Sequence, residues 1–294
     1  MQVMNNKINL LITGSTGFIG SYFINQYSSQ FIVNTFSFVR DNFNTLKLDG
    51  VDCVVHCGAL VHQMNREPSY EQFFDSNVNH TLQMAIKAKA NNVKQFIFIS
   101  TIKVLGEESK EIFKENSPTN PNDDYGLTKK IAEEKLLELE DKNFKVAILR
   151  LPLVFGPGVK ANFRSLINIV NTFKILPLGS INNKRSIVFV GNVCHYIFQI
   201  IKLKERGIFI ANEDKSFSTS ELINQIAKSL GKDIILFSIP LLNQFLKIIK
   251  PKYYQKLFEN LEVNNSLTKK ILKIEKNKYS CNQSFKDTIS TYVK

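Results

Sequence analysis

Tyr125 and Lys129 are the first pair of residues whose types and spacing could perform acid–base chemistry. They stand four residues apart in the stretch YGLTKK, directly after the turn-forming run NSPTNPNDD. Residues four apart on a helix share a face, so the lysine ammonium would lie near the phenol. A nearby positive charge favours phenolate and would lower the tyrosine pKa from its usual value of about 10. The same pattern also fits an ordinary helix start, so other motifs must decide between these interpretations.

Three glycines form a second candidate site in the stretch ITGSTGFIG. Gly14, Gly17 and Gly20 lie between an apolar run, INLLIT, and a helical pattern, FIGSYFINQY. Glycine lets the chain turn tightly and approach a phosphate, which the amide groups at the start of the helix then bind. The spacing G-x-x-G-x-x-G, between a strand and a helix near the N-terminus, predicts a dinucleotide-binding site.

The elements that must position these residues alternate between short apolar runs and helical patterns in the first half of the chain. This alternation predicts an α/β fold of the Rossmann type, a doubly wound parallel sheet with helices on both faces. We expect residues 1–160 to form the NAD(P)-binding domain, with its sheet partly completed by later segments. Residues 161–294 are expected to form mainly a small C-terminal substrate-binding lobe. Little room remains between Phe38 and Val51 for another strand and its crossover helix, so we expect a trimmed sheet edge there.

In the second half, helices are expected at residues 162–173, 192–201, 218–230 and 241–249. Short strands are expected at residues 186–190 and 207–211.

Composition narrows the classes of function. The net charge is +12, from 38 basic and 26 acidic residues. The lysines are scattered, which is typical of a solvated basic surface, although an anionic ligand or an acidic membrane surface would also be attracted. No zinc-finger, RNA-binding or basic-zipper pattern supports a nucleic-acid partner. Four scattered cysteines predict neither a disulfide framework nor a metal site. No signal peptide or integral membrane segment is predicted, so we expect a cytoplasmic protein.

The end of the second strand should select the cofactor. The run NTFSFVRD places Ser37 and Arg40 in the region where NAD-dependent proteins usually carry an acid. An arginine can pair with the 2′-phosphate of NADP, which favours NADP as the cofactor. Asp41 would instead bind the ribose of NAD if the strand runs further than expected.

Five motifs occur in the order TGSTGFIG, HCGAL, FISTIKV, YGLTK and LRLPLVFGPG. In this order they resemble the extended short-chain dehydrogenases/reductases over nearly the whole chain. The resemblance is to their NAD(P)-dependent nucleotide-sugar epimerase/dehydratase branch, which includes UDP-glucose 4-epimerases and nucleotide-sugar 4-ketoreductases. It implies that Tyr125 is the catalytic acid/base and that Lys129 also holds the nicotinamide ribose. It further implies that Thr101 hydrogen-bonds the reacting oxygen, with Ser100 as the alternative.

The resemblance also implies a set of cofactor contacts. Ala59 and Leu60 match a loop that lines the cofactor, although Gly58 replaces the usual first alanine. Asn77 matches a helix asparagine that braces the active-site strand. The expected cofactor-binding residues are Gly14, Thr16, Gly17, Phe18, Ile19, Gly20, Ser37, Arg40, Ala59, Leu60, Ser100, Tyr125, Lys129, Leu151 and Leu153.

For the substrate, the resemblance implies a nucleotide-diphosphate sugar. Asn162 and Arg185 match groups that bind its diphosphate, and Lys160 could add positive charge there. Thr101 is also expected to contact the substrate.

His62 could face the sugar, whereas His56 is expected to be a core residue. No metal is expected. A homodimer is possible through the helices that begin at Tyr70 and Tyr125.

The activity implied is hydride transfer at C4 of the sugar, for surface polysaccharide synthesis. A UDP-sugar 4-ketoreductase is slightly favoured, because Ser37 and Arg40 stand at the end of the second strand. A UDP-hexose 4-epimerase with tightly bound NAD is the alternative, and a non-catalytic NAD(P)-binding regulator or scaffold is an alternative of another class. A 4,6-dehydratase is disfavoured because Ile102 and Lys103 stand where its carboxylate pair would be.

Overall fold

A computed structural model describes residues 7–61 and 68–292, without the side chains of residues 161 and 162. The strands are β1 (Asn9–Thr13), β2 (Ile32–Phe36), β3 (Cys53–His56), β4 (Gln95–Thr101), β5 (Lys145–Leu151), β6 (Leu153–Phe155), β7 (Ile175–Leu176), β8 (Ile187–Phe189), β9 (Gly207–Ile210) and β10 (Ile235–Leu236).

The helices are α1 (Phe18–Tyr27), α2 (Tyr70–Phe74), α3 (His80–Ala90), α4 (Asp124–Glu138), α5 (Ala161–Thr172), α6 (Val190–Leu203), α7 (Thr219–Leu230), α8 (Leu242–Ile249), α9 (Pro251–Phe258), α10 (Ser266–Leu272) and α11 (Cys281–Ser290).

The main sheet has six parallel strands in the order β2-β1-β3-β4-β5-β9. Its central strands are buried on both faces, and every residue of β4 is buried. A parallel sheet needs helices on both faces, which explains why its strands read as nearly continuous apolar runs. The Rossmann-type, doubly wound sheet predicted from the alternating pattern is therefore confirmed.

The sheet separates two apolar cores. On one face, Ile97, Ile99 and Leu149 pack with α1 and α6, while on the other Phe96 and Phe98 pack with α3 and α4. Successive residues of a strand point to opposite faces, so β4 contributes to both cores. This alternation also decides which polar residues at the end of β4 share a side.

The sheet edge is trimmed beside β2, as predicted. Residues 37–52 contain one short 3₁₀ turn, Phe43–Thr45, and no strand. β2 therefore forms the edge of the sheet, and four of its five residues are exposed or half-buried.

Segments after residue 160 extend the sheet and build the remainder of the molecule. β9 supplies the sixth strand of the main sheet, and α6 packs on the same face as α1. Two small parallel pairs, β6 with β8 and β7 with β10, lie outside the main sheet. The expected helices after residue 160 are present as α5 to α8, with α6 beginning two residues earlier than expected.

Across the described ranges, no helix has both the length and the apolar character needed to cross a membrane.

Candidate active site

The candidate residues gather at the carboxyl edge of the main sheet. In parallel strands these ends lie side by side, so loops distant in sequence meet there. The glycine turn follows β1, the loop at Gly58 follows β3, and Thr101 ends β4. Two hydrogen bonds join the end of β1 to the loop after β3: Cys57 N–H donates to Thr13 O at 3.2 Å, and Gly58 N–H donates to Thr13 Oγ1 at 3.3 Å.

The glycine turn has a backbone that only glycine tolerates at its tightest point. Gly14 has φ +65°, and a Cβ there would lie 2.6 Å from Gly58 N. A Cβ on Gly20 would collide with Gly14 O. Gly17 is the N-cap residue of α1, and no side chain caps the amide groups of the first turn. This arrangement fits a dinucleotide pyrophosphate, which backbone amides at a helix start bind well.

The end of β2 differs from the expectation. The strand stops at Phe36, and the chain turns back so that Asp41 Oδ2 accepts a hydrogen bond from Ser37 N–H at 2.7 Å. Arg40 lies in the same turn with an exposed side chain. Asp41 therefore reaches the strand end by a tight turn rather than by a longer strand. Arg40 and Asp41 therefore both lie in the turn that follows β2.

The loop after β3 is held by Asn77, which is fully buried. Its Oδ1 accepts from Leu60 N–H at 2.9 Å, and its Nδ2 donates to Leu60 O at 3.1 Å. Asn77 therefore braces the cofactor loop rather than the active-site strand, which corrects our expectation. It lies in a π-helical turn, Asp75–Asn79, between α2 and α3. Such turns often mark functional sites.

The same asparagine reaches the helix that carries the tyrosine. Asn77 Nδ2 donates to Thr128 Oγ1 at 3.4 Å, and Thr128 Oγ1 donates to the carbonyls of Asp124 and Tyr125 at 2.9 and 3.1 Å. The cofactor loop and the first turn of α4 are thus fixed to each other through buried hydrogen bonds.

Tyr125 lies in the first turn of α4, where Asp123 caps the helix by accepting from Gly126 N–H at 2.7 Å. The tyrosine ring lies 6.1 Å from the ring of Phe73. Burial raises the pKa of Tyr125, and the charge of Asp123 raises it further. In the protein alone, the pKa shift is opposite to the lowering expected from Lys129.

The pKa of Lys129 is also shifted by burial. It is fully buried, and its Nζ lies 3.7 Å from the centre of the Phe98 ring. Burial lowers the pKa of Lys129 from 10.5 to about 7, although Glu133 and Cys57 oppose the shift. With a pKa of about 7, the lysine carries only part of a positive charge at neutral pH.

Thr101 and Ser100 end β4 on opposite faces. Ser100 Oγ donates to Glu133 Oε1 at 2.5 Å, on the face covered by α4. Thr101 Oγ1 accepts from Lys103 N–H at 3.3 Å and keeps its own proton to donate. The Ser100 hydroxyl is thus hydrogen-bonded to a buried carboxylate. Thr101 is therefore the better candidate for contact with a substrate oxygen.

A buried ion pair supports this end of the sheet, and the sequence analysis missed it. Arg150 on β5 donates from Nε and Nη2 to the carboxylate of Glu133 on α4, with distances from 2.7 to 3.2 Å. Both side chains are 3% exposed. Ser100 completes the group, so β4, β5 and α4 are joined by one charged network.

Lys103 forms a second group that was missed. Its Nζ lies 2.6 Å from Glu107 and 2.5 Å from Asp123, and all three side chains are largely buried. These two carboxylates, together with the hydrogen bonds to them, raise the pKa of Lys103 despite its burial. The lysine thereby ties the end of β4 to the residue that caps the tyrosine helix.

Arg185 has partners that the sequence did not suggest. Its Nη1 donates to the carbonyls of Gln255 and Glu259, at 3.3 and 3.0 Å, where α9 ends. Burial lowers its pKa, and Glu107 opposes the shift across the site. Arg185 therefore anchors the end of α9, and the charge of Glu107 favours its protonated form.

The remaining candidates are distributed as follows. Leu151 ends β5 and is buried, while Leu153 in β6 is partly exposed. Ala59, Thr16 and Lys160 are exposed, whereas Phe18 and Ile19 pack against the core as α1 begins. Asn162 lies in the first turn of α5, and its side chain is outside the described part of the structure.

His56 is a core residue, as expected: Thr13 Oγ1 lies 2.9 Å from its Nδ1 and Thr81 Oγ1 lies 3.1 Å from its Nε2. Burial lowers the pKa of His56 to about 3. His62 lies outside the described residues. Within the described ranges, residues 7–61 and 68–292, no cluster of three or more His, Cys, Asp or Glu side chains could hold a metal ion.

A parallel sheet with a glycine turn after its first strand, and with threonine, tyrosine and lysine at its carboxyl edge, defines a dinucleotide-binding protein of the short-chain dehydrogenase/reductase type. The model of the NAD dependent epimerase/dehydratase family matches residues 10–210. The chain belongs to that family.

Two relatives are named for 4-epimerases. The chain is 34% identical to a UDP-glucose 4-epimerase of Vibrio cholerae, over 90% of this chain and 89% of the relative. It is 26% identical to an N-acetyl-alpha-D-glucosaminyl-diphospho-ditrans,octacis-undecaprenol 4-epimerase of Escherichia coli O157:H7, over 79% of this chain and 75% of the relative.

A solved structure shares the fold. It is a UDP-N-acetylglucosamine 4-epimerase from Methanobrevibacter ruminantium M1 in complex with UDP-N-acetylmuramic acid, with a TM-score of 0.78. The two chains are 19% identical, and the alignment covers 98% of this chain and 99% of the other.

Proposed function

We propose that the protein is a 4-epimerase of a sugar carried on a diphosphate, with UDP-hexose as the first substrate to test. The observation that carries the proposal is the placement of Thr101 at the carboxyl end of β4 and of Tyr125 and Lys129 in the first two turns of α4. The likeness to a UDP-glucose 4-epimerase over 90% of the chain supports the epimerase over the 4-ketoreductase that the strand end favoured.

Each of these three residues has a role that follows from its position. Tyr125 removes the proton of the C4 hydroxyl and later returns one, as general acid and base. Thr101 donates a hydrogen bond to the same oxygen and orients it. Lys129, which is fully buried, would hold the ribose next to the nicotinamide, and its protonated form would support the phenolate of Tyr125.

We propose NAD as the resident cofactor, held by Gly14, Gly17 and Gly20 at the pyrophosphate and by Asp41 at the adenosine ribose. Bound nicotinamide supplies the hydride chemistry at C4. Asp41 is suited to the ribose hydroxyls because the turn from Ser37 brings its carboxylate back to the end of β2. Arg40 in the same turn keeps NADP as the alternative.

The diphosphate of the substrate would bind to Arg185, with Asn162 and Lys160 at the start of α5 as further contacts. A guanidinium has five N–H donors, and the two carbonyls of α9 engage only the Nη1 group of Arg185. Its remaining donors can pair with phosphate oxygens in the forked geometry that arginine favours. The segments after residue 160 that lie outside the main sheet would form the substrate lobe.

The carrier of the sugar is the main alternative within this proposal. The E. coli relative is named for a sugar on an undecaprenol diphosphate. A lipid diphosphate presents the same anionic group to Arg185 as a nucleotide diphosphate does. Either substrate would serve surface polysaccharide synthesis in the cytoplasm.

The first experiment is to denature the purified protein, identify any nucleotide released, and then assay interconversion of UDP-glucose and UDP-galactose. Nearly one NAD per chain together with interconversion supports the proposal. Protein that retains no NAD, prefers NADPH and reduces a UDP-4-keto-sugar once would establish the ketoreductase instead. Dinucleotide binding without either reaction would leave the NAD(P)-binding regulator or scaffold, and failure to bind either dinucleotide would contradict the proposal.

We also propose a homodimer through α2–α3 and α4. Ile86 on α3 and Leu127 and Leu137 on α4 are exposed apolar residues on the two helices expected to pair. Light scattering of the wild type and of an Ile86→Glu variant would test this contact.

A further inference from the structure

Helix α8 turns most of its apolar face away from the protein. Leu241, Phe245, Ile248 and Ile249 are 67%, 59%, 82% and 53% exposed. Their spacing of four, three and one residues places them on one side of the helix. A helix of a soluble domain normally buries such a face, and neither α8 nor α9 contains a buried residue.

Lysines are frequent in the segment that carries this apolar face. Residues 241–258 contain Lys247, Lys250, Lys252 and Lys256 and no aspartate or glutamate. Tyr253 on α9 adds a partly exposed aromatic ring, and Ile239 continues the apolar surface before α8. Apolar and aromatic side chains bordered by lysines, without acids, are the composition of helices that lie in the interface of an anionic bilayer.

We propose that α8 and α9 form a docking surface for an anionic lipid bilayer. Charge complementarity selects this occupant, because four lysines among exposed apolar side chains match a surface that is acidic at the headgroups and apolar beneath. An α8 of eight residues is about 12 Å long, so it would lie along the membrane with its apolar face in the interface.

The docking surface is fixed to the rest of the molecule on its other side. Leu242 and Leu246, which adjoin the exposed strip of α8, are half-buried. Lys247 Nζ lies 5.4 Å from the Tyr254 ring, which holds α8 against α9. Arg185 binds the carbonyls at the end of α9, so the bilayer contact lies one helix away from the proposed diphosphate site. Docking is independent of which sugar the enzyme uses.

The test is sedimentation of the full-length protein with vesicles. One set is an equal mixture of phosphatidylglycerol and phosphatidylcholine, and the other is phosphatidylcholine alone. We expect the wild type to sediment with the anionic vesicles, to remain in solution with the neutral ones, and to be released as salt is raised. Sedimentation with neither set, or equally with both, would overturn the proposal.

Two variants separate the charged and apolar contributions. Lys250→Gln/Lys252→Gln should weaken binding about 25-fold, since each lysine near an anionic surface contributes about a factor of five. Phe245→Ser/Ile248→Ser should weaken it about tenfold or more. Thermal unfolding and turnover of UDP-glucose should be unchanged in both, which excludes misfolding as the cause.

Matched controls alter the same residue types elsewhere. Leu267→Ser removes an exposed leucine from α10, and Lys273→Gln/Lys276→Gln removes two lysines outside the docking surface. These controls should bind vesicles like the wild type. Equal losses in the controls would overturn the proposal. The proposal would also fail if the wild type is a dimer that does not bind vesicles and if Phe245→Ser/Ile248→Ser dissociates that dimer. The docking surface would then bind a second copy of the chain.

Discussion

The carboxyl edge of the main sheet and the α8–α9 pair use charged and apolar side chains in opposite ways. At the sheet edge, Lys129, Glu133 and Arg150 are buried and held by specific partners. On α8, Phe245 and Ile248 are exposed. The first region is organised before any ligand arrives, whereas the second has an apolar surface that only a partner can bury. Four predictions test this contrast, beginning with the largest expected effect.

Tyr125→Phe should reduce the turnover number about 100- to 10,000-fold, because it removes the general acid and base and little else. Binding of NAD and the unfolding temperature should change little. Interconversion of UDP-glucose and UDP-galactose measures the loss, and isothermal titration measures NAD affinity. Tyr70→Phe, a partly exposed tyrosine on another helix, is the control and should retain full activity. Comparable activity in both variants would remove Tyr125 from the mechanism.

Arg150→Met should lower the free energy of unfolding by about 3–5 kcal/mol, because it leaves the carboxylate of Glu133 buried without its partner. Chemical denaturation measures the change. Arg206→Met is the matched control: Arg206 pairs with Glu140 at 3.4 Å but is 57% exposed, so its removal should cost at most about 1 kcal/mol. Similar losses in the two variants would mean that burial does not distinguish these pairs.

Lys129 should give stability a measurable dependence on pH. Its pKa is about 7 in the folded protein and 10.5 as its ordinary value, so between these values the unfolded state binds the additional proton. The free energy of unfolding should therefore rise with pH in this window, with a slope from this group approaching about 1.4 kcal/mol per pH unit. Below pH 7 the contribution of Lys129 to the free energy of unfolding no longer changes with pH.

Lys129→Met should abolish this slope and stabilise the protein near neutral pH, because the cost of burying an amine disappears. Denaturation curves at several pH values compare the wild type with this variant, so that other titrating groups cancel. Lys130→Met, which changes the partly exposed neighbour, should keep the slope of the wild type. An unchanged slope in Lys129→Met would show that the lysine is protonated in the folded state throughout this range.

The contrast also explains what the sequence could predict. Strand and helix periods, glycine spacing and the motif order were sufficient for the parallel sheet, the glycine turn and the position of Tyr125, because local chemistry determines these features. The Ser100–Glu133–Arg150 network joins residues 33 and 17 positions apart, and no local pattern indicates that these side chains share a face of the sheet. The same limit applies to Lys103 and to the pKa of Lys129, since both depend on burial.

The sequence could not predict which way the apolar face of α8 points, for a related reason. The apolar spacing of residues 241–249 predicted the helix, and α8 is present at Leu242–Ile249. An amphipathic pattern does not state whether its apolar face turns toward the core or toward a partner. Only the packing of the surrounding segments decides this, and here it leaves Phe245 and Ile248 outside.

Ile248→Ala should therefore change the free energy of unfolding by no more than about 0.5 kcal/mol, because the side chain is 82% exposed and few contacts are lost. Ile97→Ala, in the fully buried β4, should cost about 2–5 kcal/mol through lost burial and the cavity left behind. Chemical denaturation of both variants provides the comparison. A cost for Ile248→Ala close to that of Ile97→Ala would mean that α8 packs its apolar face inward in solution, and the contrast between the two regions would then fail.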